Sequence, residues 1–369
     1  MTRHAILIIA ALSGLSSTGC IFSRMFYYNT PSLGAPGYFD SREVAASPTP
    51  RAWDRAKELS IELTEAERRS YASFDELLEK NKTRAFLVIK DDRIVYERYF
   101  DGVTENTVLP SFSISKTVGA LVVGVAVHDG LIASPTEKLV TFVPELAGRA
   151  GYSDITLDHL LRMTSGIDFQ EESVAGAMFY YSWDLRSRMY LYDVKWPPGT
   201  HYMYGSINTQ LLWDALQRRI GNRTVAKYFE ERVWAPLGAE HAATWSLDSA
   251  NGGVEKLFGG FNATLRDHAR IGALFLHGGE LDGKTIVSNQ WVTESLTPDP
   301  VPGIVESSDG WVRRTKYQWF MTLDGRAYFA KGYHGQYIFL VPSTKMMFLR
   351  FGEGYADVDW PSLFLRISG

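Results

Sequence analysis

Hydrophobic and polar positions fall into distinct patterns along the chain. Ala5–Leu12 is an unbroken apolar run behind Arg3. It is too short to span a bilayer, and its positive flank predicts a signal peptide over 1–19. Ala85–Phe100, AFLVIKDDRIVYERYF, has two runs rich in Val, Ile, Tyr and Phe around Asp91-Asp92, the pattern of a β-hairpin. Thr315–Phe351 has the same character. It predicts strands near Lys316–Thr322, Ala327–Ala330, Tyr337–Val341 and Met346–Arg350, with a turn at Gly325. The middle of the chain reads as helices. Ile114–His128 is apolar almost all round and stops at Asp129-Gly130. Ile155–Met163 puts Leu157, Leu160 and Leu161 on one side, and Thr209–Ile220 and Arg266–Leu276 are amphipathic.

Strands at both ends with helices between predict an α/β protein. One antiparallel sheet is built by the two ends of the chain and flanked by helices, and a mostly helical region is inserted. The expected division is a discontinuous α/β domain over 56–118 and 291–369 and a mostly helical domain over 119–290, with a cleft at their junction. Residues 20–55 carry Pro31, Pro36, Pro48 and Pro50 and read as a tether or an extended arm draped over the domain.

Composition narrows the chemistry. A single cysteine among 369 residues excludes an internal disulfide and any multi-cysteine zinc or iron–sulfur site. A net charge of −4 leaves no broad footprint for nucleic acid. Eight histidines are scattered without an HExxH spacing, so neither metal nor cofactor is expected.

One short motif carries chemistry. Ser113-Ile114-Ser115-Lys116 is the one SxxK in the chain and opens the Ile114–His128 helix. Three residues apart on a helix, the Ser113 hydroxyl and the Lys116 amine share a face. A helix N-terminus offers unpaired N–H groups to an oxyanion. A serine needs a neighbour to take its proton, and a lysine in an apolar cleft can do so because burial lowers its pKa. The bland alternative is a helix cap at Ser113 and a solvated Lys116.

Ser-x-x-Lys in this place resembles the signature of penicillin-recognising serine hydrolases. The text downstream is similar to their β-lactamase-related branch: Gly130-Leu131-Ile132, Val143-Pro144-Glu145-Leu146, His159-Leu160-Leu161 and Met163-Thr164-Ser165-Gly166-Ile167. That branch includes class C β-lactamases, D-alanyl-D-alanine carboxypeptidases, family VIII-type esterases and 6-aminohexanoate-dimer hydrolases. The likeness runs from about Arg84 to about Gly352 and implies a β-lactamase/transpeptidase-like fold. It also implies that Tyr204, in Pro198-Gly199-Thr200-His201-Tyr202-Met203-Tyr204, is the catalytic tyrosine. Ser206 and Asn208 would then make polar contacts to substrate.

Aligning on Gly335-Gln336 puts Ala330-Lys331-Gly332 where β-lactamases have Lys-Thr-Gly and esterases often have His-x-Gly. The motif's cation is thereby lost, as in 6-aminohexanoate-dimer hydrolases. The backbone N–H of Tyr333 would join that of Ser113 as the oxyanion hole. Gly332 and His334 would contact substrate, and a shifted register would instead turn Lys331 or His334 to the site. Trp183 ends an aromatic run, Phe179–Trp183, that would line the acyl pocket or pack in the core. Arg266, Asp267 and Arg270 read as an ion pair and helix cap.

The resemblance therefore implies a serine hydrolase acting on an ester or linear amide. A β-lactamase or D-Ala-D-Ala carboxypeptidase is the alternative, and a non-catalytic envelope lipoprotein is the alternative of another class. Ser17-Thr18-Gly19-Cys20 is similar to a bacterial lipobox, with Ser17 where that motif usually has Leu. It implies an exported protein lipid-anchored through Cys20. Ile21 after the cysteine points to the outer membrane, facing the periplasm. Beyond the membrane and a small-molecule ester or amide no partner is implied, and the oligomeric state is not readable.

Overall fold

A computed structural model describes residues 21–28, 31–250, 252–301, 304–307, 310–356 and 358–369. The signal-peptide segment 1–19 and Cys20 lie outside them. Nine strands of the described residues form the main sheet: β1 (Asp54–Arg55), β2 (Thr83–Lys90), β3 (Arg93–Tyr99), β4 (Ile304–Ser307), β5 (Gly310–Arg314), β6 (Phe320–Met321), β7 (Tyr328–Gly332), β8 (Gln336–Val341) and β9 (Met346–Gly352). Their order is β4-β5-β6-β7-β8-β9-β2-β3-β1. Both ends of the chain thus build one sheet, antiparallel except for the short β1–β3 pairing.

The central strands alternate between two apolar layers, because both faces of the sheet are covered there. Leu87, Ile89, Ala330, Ile338, Leu340 and Met347 pack on the inner side. Phe86, Val88, Phe329, Phe339 and Phe348 pack on the outer side, against Trp360 and Phe364. The β2–β3 hairpin turns on Asp91 and Asp92, both left-handed at φ 48° and 60°, as a two-residue turn matched to strand twist requires.

Five helices matter most: α1 (Ile21–Tyr28), α2 (Ile114–His128), α3 (Ser206–Gln217), α4 (Leu265–Leu276) and α5 (Trp360–Ser368). Residues 114–126 of α2 are buried without exception, which is why that helix is apolar all round. Its neighbours are α3 on one side and β7 and β8 on the other. No helix of the described residues is long and apolar enough to cross a membrane.

Three expectations need correcting. The strand expected over Lys316–Thr322 is a turn leading into the two-residue β6, because Gln318 takes a left-handed backbone at φ 65°. The helix expected over Ile155–Met163 shortens to Leu157–Leu161. Thr156 and His159 cap each other at its start, and Met163 turns left-handed beyond its end. The boundary at residue 290 does not separate the layers, since α4 packs on β2, β8 and β9 of the main sheet.

The region between also contributes Ala243–Ser246 and Phe261–Ala263 to a second, four-stranded sheet. Ser41–Val44 pairs with Ala243–Ser246 in that sheet, so residues 31–55 run across the folded body and end as β1 at the edge of the main sheet. Phe39 packs edge-on to Tyr180 at 5.4 Å.

Candidate active site

The cleft is built where α2 begins. Phe112, left-handed at φ 48°, turns the chain sharply from Leu109–Pro110 into the helix. Two buried hydroxyls fix this corner to the second sheet. Ser111 Oγ donates to the Phe261 carbonyl at 2.7 Å, and Ser115 Oγ accepts from the Phe261 amide at 2.8 Å. Ser113 occupies the N-cap position, yet its side chain caps nothing, which leaves the hydroxyl for other work.

One turn on, Lys116 is 2% exposed. Its Nζ donates to Ser113 Oγ at 3.0 Å and to the Phe258 carbonyl at 2.9 Å. Burial lowers the Lys116 pKa, and the nearby Glu171 carboxylate partly opposes this. Tyr204 lines the cleft together with Ser113, and its ring lies 5.0 Å from Lys116 Nζ. Its pKa is raised, first by burial and then by Glu171, against a smaller lowering from the Ser113 hydroxyl. The serine hydroxyl thus sits between an amine that gives up its proton early and a phenol that keeps its own.

The end of β7 completes the corner. A Cβ on Gly332 would stand 2.3 Å from the Ser111 carbonyl oxygen, so only glycine lets this strand run so close to the start of α2. Tyr333 follows, its ring meeting that of Phe112 edge-on at 6.0 Å. Ala330 packs in the inner layer. Lys331 Nζ lies 4.9 Å from the Tyr355 ring and 5.9 Å from the Tyr337 ring. Lys331 is nonetheless among the residues lining the cleft with Ser113, Lys116 and Tyr204.

Ser113, Lys116 and Tyr204 come together as expected, with Gly332 and Tyr333 beside them. Four other expected substrate contacts have different work. Ser206 gives both its amide and its hydroxyl to Glu171, at 2.6 and 2.5 Å, which starts α3. Asn208 is buried, accepting from Ser165 Oγ at 2.6 Å and donating to the Gly205 carbonyl at 3.2 Å. His334 Nε2 bonds the Pro31 carbonyl at 2.7 Å and so holds the N-terminal arm. Trp183 lies under the Arg24 guanidinium of α1, 5.1 Å away, and is not among the residues lining the cleft. In the same aromatic run Phe179 is core, packed on Phe169, Tyr192 and Phe258. Arg270 and Asp267 pair at 2.9 Å at the start of α4, and Arg266 pairs with Glu97.

Glu171 was not anticipated. It lies 3.8 Å from Lys116 Nζ, but in sequence it is one acidic residue beside another, Glu172, in a loop with no spacing signature. The Tyr202–Arg314 stack, at 3.7 Å, was equally invisible because its partners are 112 positions apart. No cluster of three His, Cys, Asp or Glu side chains suited to a metal occurs among the described residues.

This corner, on this sheet and these helices, defines a β-lactamase-like protein organised around a Ser-x-x-Lys pair. A family model described as Beta-lactamase matches residues 74–352, and the chain belongs to that family as one of its hydrolases. It is 29% identical over 308 residues to a 6-aminohexanoate-dimer hydrolase of Paenarthrobacter ureafaciens, covering 78% of this chain and 75% of that one. Among solved structures it is similar to a candidate 6-aminohexanoate-dimer hydrolase from Bacillus anthracis, at 22% identity and a TM-score of 0.75 over 89% of each chain. It is also similar to a family VIII carboxylesterase, at 18% identity and a TM-score of 0.61 over 79% of this chain and 92% of that one. At these identities the two structures bear on the fold alone.

Proposed function

We propose that the chain is a serine acyl hydrolase that opens a carboxylic ester or a linear amide through an acyl-enzyme on Ser113. The observation that carries this reading is the Ser113 hydroxyl bonded to Lys116 Nζ at 3.0 Å, in one cleft with Tyr204, whose ring lies 5.0 Å from that amine. Ser113 Oγ attacks the carbonyl carbon while its proton passes to the neutral Lys116 amine. The N–H groups of Ser113 and Tyr333 hold the oxyanion. Collapse breaks the bond to the leaving oxygen or nitrogen, which takes its proton from Tyr204, with Lys116 restoring the phenol. Water then repeats the sequence on the acyl-enzyme and frees the acid.

Ala330 in place of a motif cation supports an ester or linear amide over a β-lactam or a D-Ala-D-Ala peptide, both of which carry a carboxylate. The 29% identity to a 6-aminohexanoate-dimer hydrolase points the same way. A fluorophosphonate probe tests the mechanism: wild type labels and Ser113→Ala does not. Labelling that ignores Ser113 would leave the fold as a ligand-binding lipoprotein. A panel of p-nitrophenyl esters, aminohexanoate dimer and nitrocefin tests the substrate class, and nitrocefin turnover matching the esters overturns it.

We further propose that the protein is exported and lipid-anchored through Cys20, facing the periplasm from the outer membrane. The apolar run before Cys20 supports this. So does α1 directly after it, whose Phe26 and Tyr27 are 78% and 81% exposed, as side chains resting on a lipid surface are. Growth with labelled palmitate tests it: wild type takes up label and Cys20→Ala does not.

A further inference from the structure

Gln318 holds a backbone conformation that costs a long side chain, in a wall of the catalytic cleft. At φ 65° it lies in the left-handed region that glycine occupies freely. Two hydroxyls fix it there. Thr117, next to Lys116 on α2, donates to the Gln318 carbonyl at 2.8 Å. Thr209 on α3 donates to the side-chain Oε1 at 3.0 Å. With Oε1 taken, the amide is left with Nε2, which has no partner among the described residues. The residue lines the same cleft as Ser113, Lys116 and Tyr204. Its wall holds further polar atoms without a partner among the described residues: Arg314 Nε, Thr315 Oγ1 and Trp319 Nε1. Each of these can donate a hydrogen bond. A buried donor left without a partner suits a ligand that brings an acceptor.

We propose that Gln318 is a specificity residue that donates from Nε2 to an acceptor oxygen on the substrate, a carbonyl or a carboxylate a few bonds from the scissile carbonyl. This rests on the serine-hydrolase reading and narrows it: the substrate carries a second acceptor group and is not a plain alkyl ester. A linear amide built from repeated amide or acid units has that chemistry.

The test is a comparison of kcat/KM ratios in wild type, Gln318→Gly and Gln318→Glu. The reference is p-nitrophenyl butanoate. Against it are set p-nitrophenyl 4-acetamidobutanoate (amide carbonyl), p-nitrophenyl hemisuccinate (carboxylate) and the butanoate ester of glycolamide (acceptor on the leaving side). For at least one acceptor-bearing ester, the ratio to butanoate falls about tenfold in Gln318→Gly, as expected for one lost hydrogen bond to substrate. In Gln318→Glu it falls further, most for hemisuccinate, because an acceptor now faces an acceptor. The arm that responds identifies the group and the side of the scissile bond. Glycine relieves the left-handed backbone but leaves the buried Thr209 hydroxyl without its acceptor, so melting is measured beside the ratios, which compare esters within one variant. Ratios unmoved in both variants overturn the proposal while leaving Ser113 labelling and butanoate turnover, and hence the hydrolase reading, in place. A wild type that neither labels nor turns over any of these esters overturns both.

Discussion

The Glu171 carboxylate stands 3.8 Å from the Lys116 ammonium while its two oxygens accept from the amide and hydroxyl of Ser206. The charge nearest the catalytic amine is thus fixed by the first residue of α3. A carboxylate this close favours the ammonium form. Burial of Lys116 disfavours it and is the larger effect. The two oppose each other, so the pH at which Lys116 becomes a base depends on Glu171.

Glu171→Gln tests that dependence. Glutamine keeps an acceptor for Ser206 and removes the charge. The Lys116 pKa then falls further, and so does that of Tyr204, which Glu171 also raises. The acid limb of the kcat/KM profile should move to lower pH. Profiles measured from pH 5 to 10 decide this, and an acid limb that stays in place would refute the coupling.

Lys116→Arg separates the charge of the lysine from its basicity. Arginine keeps a cation beside Ser113 but stays protonated throughout the accessible pH range. If Lys116 takes the Ser113 proton, kcat falls by about 10²–10⁴-fold at every pH. Circular dichroism checks that the fold accommodates the larger, permanently charged side chain at this buried position. A variant that keeps most of its activity at pH 9 would make Lys116 an electrostatic support and Tyr204 the base.

Much of this site could be read in advance because it is written in local spacing. Ser113 and Lys116 are one helical turn apart, and the α2 run announces a buried helix. The β2–β3 hairpin and the β7–β8–β9 meander follow from alternation around turn residues. What escaped depends on long-range contact. Ser206 and Asn208 look like substrate ligands in sequence, but Glu171 and Ser165 claim them, 35 and 43 positions away. His334 looks available until Pro31 arrives from 303 positions away. Gln318 breaks an expected strand by a backbone angle that no residue pattern around it requires.

Gly332→Ala probes how closely β7 approaches α2. The added methyl would lie 2.3 Å from the Ser111 carbonyl oxygen, a backbone atom that cannot swing aside. Either the strand end or the helix start must move, at about 1–3 kcal/mol of stability. Because Tyr333 is the next residue, its N–H shifts relative to Ser113. Loss of an oxyanion donor costs about 10²–10³ in kcat. The expected result is a lowered urea midpoint together with a kcat loss larger than the change in KM. An unchanged kcat in a destabilised variant would place the oxyanion donor elsewhere.

Lys256 makes folding stability depend on pH. It is 1% exposed, donates to the Tyr180 carbonyl at 2.7 Å and lies 4.5 Å from the Phe39 ring of the N-terminal arm. Burial, helped by the Arg24 charge and opposed by Asp248, lowers its pKa to about 7 from 10.5. Between those two values the unfolded chain holds a proton that the folded chain has lost, so unfolding free energy rises with pH. One such group contributes up to about 1.4 kcal/mol per pH unit. Above 10.5 both states are neutral, and well below 7 both are protonated, so the slope from this residue vanishes at either end. Lys256→Met keeps the apolar stem and removes the proton. Urea unfolding at pH 7, 8 and 9 should show wild type gaining stability relative to Lys256→Met at each step. Equal slopes in the two proteins would mean that Lys256 stays charged in the folded state, paired more closely with Asp248 than its surroundings indicate.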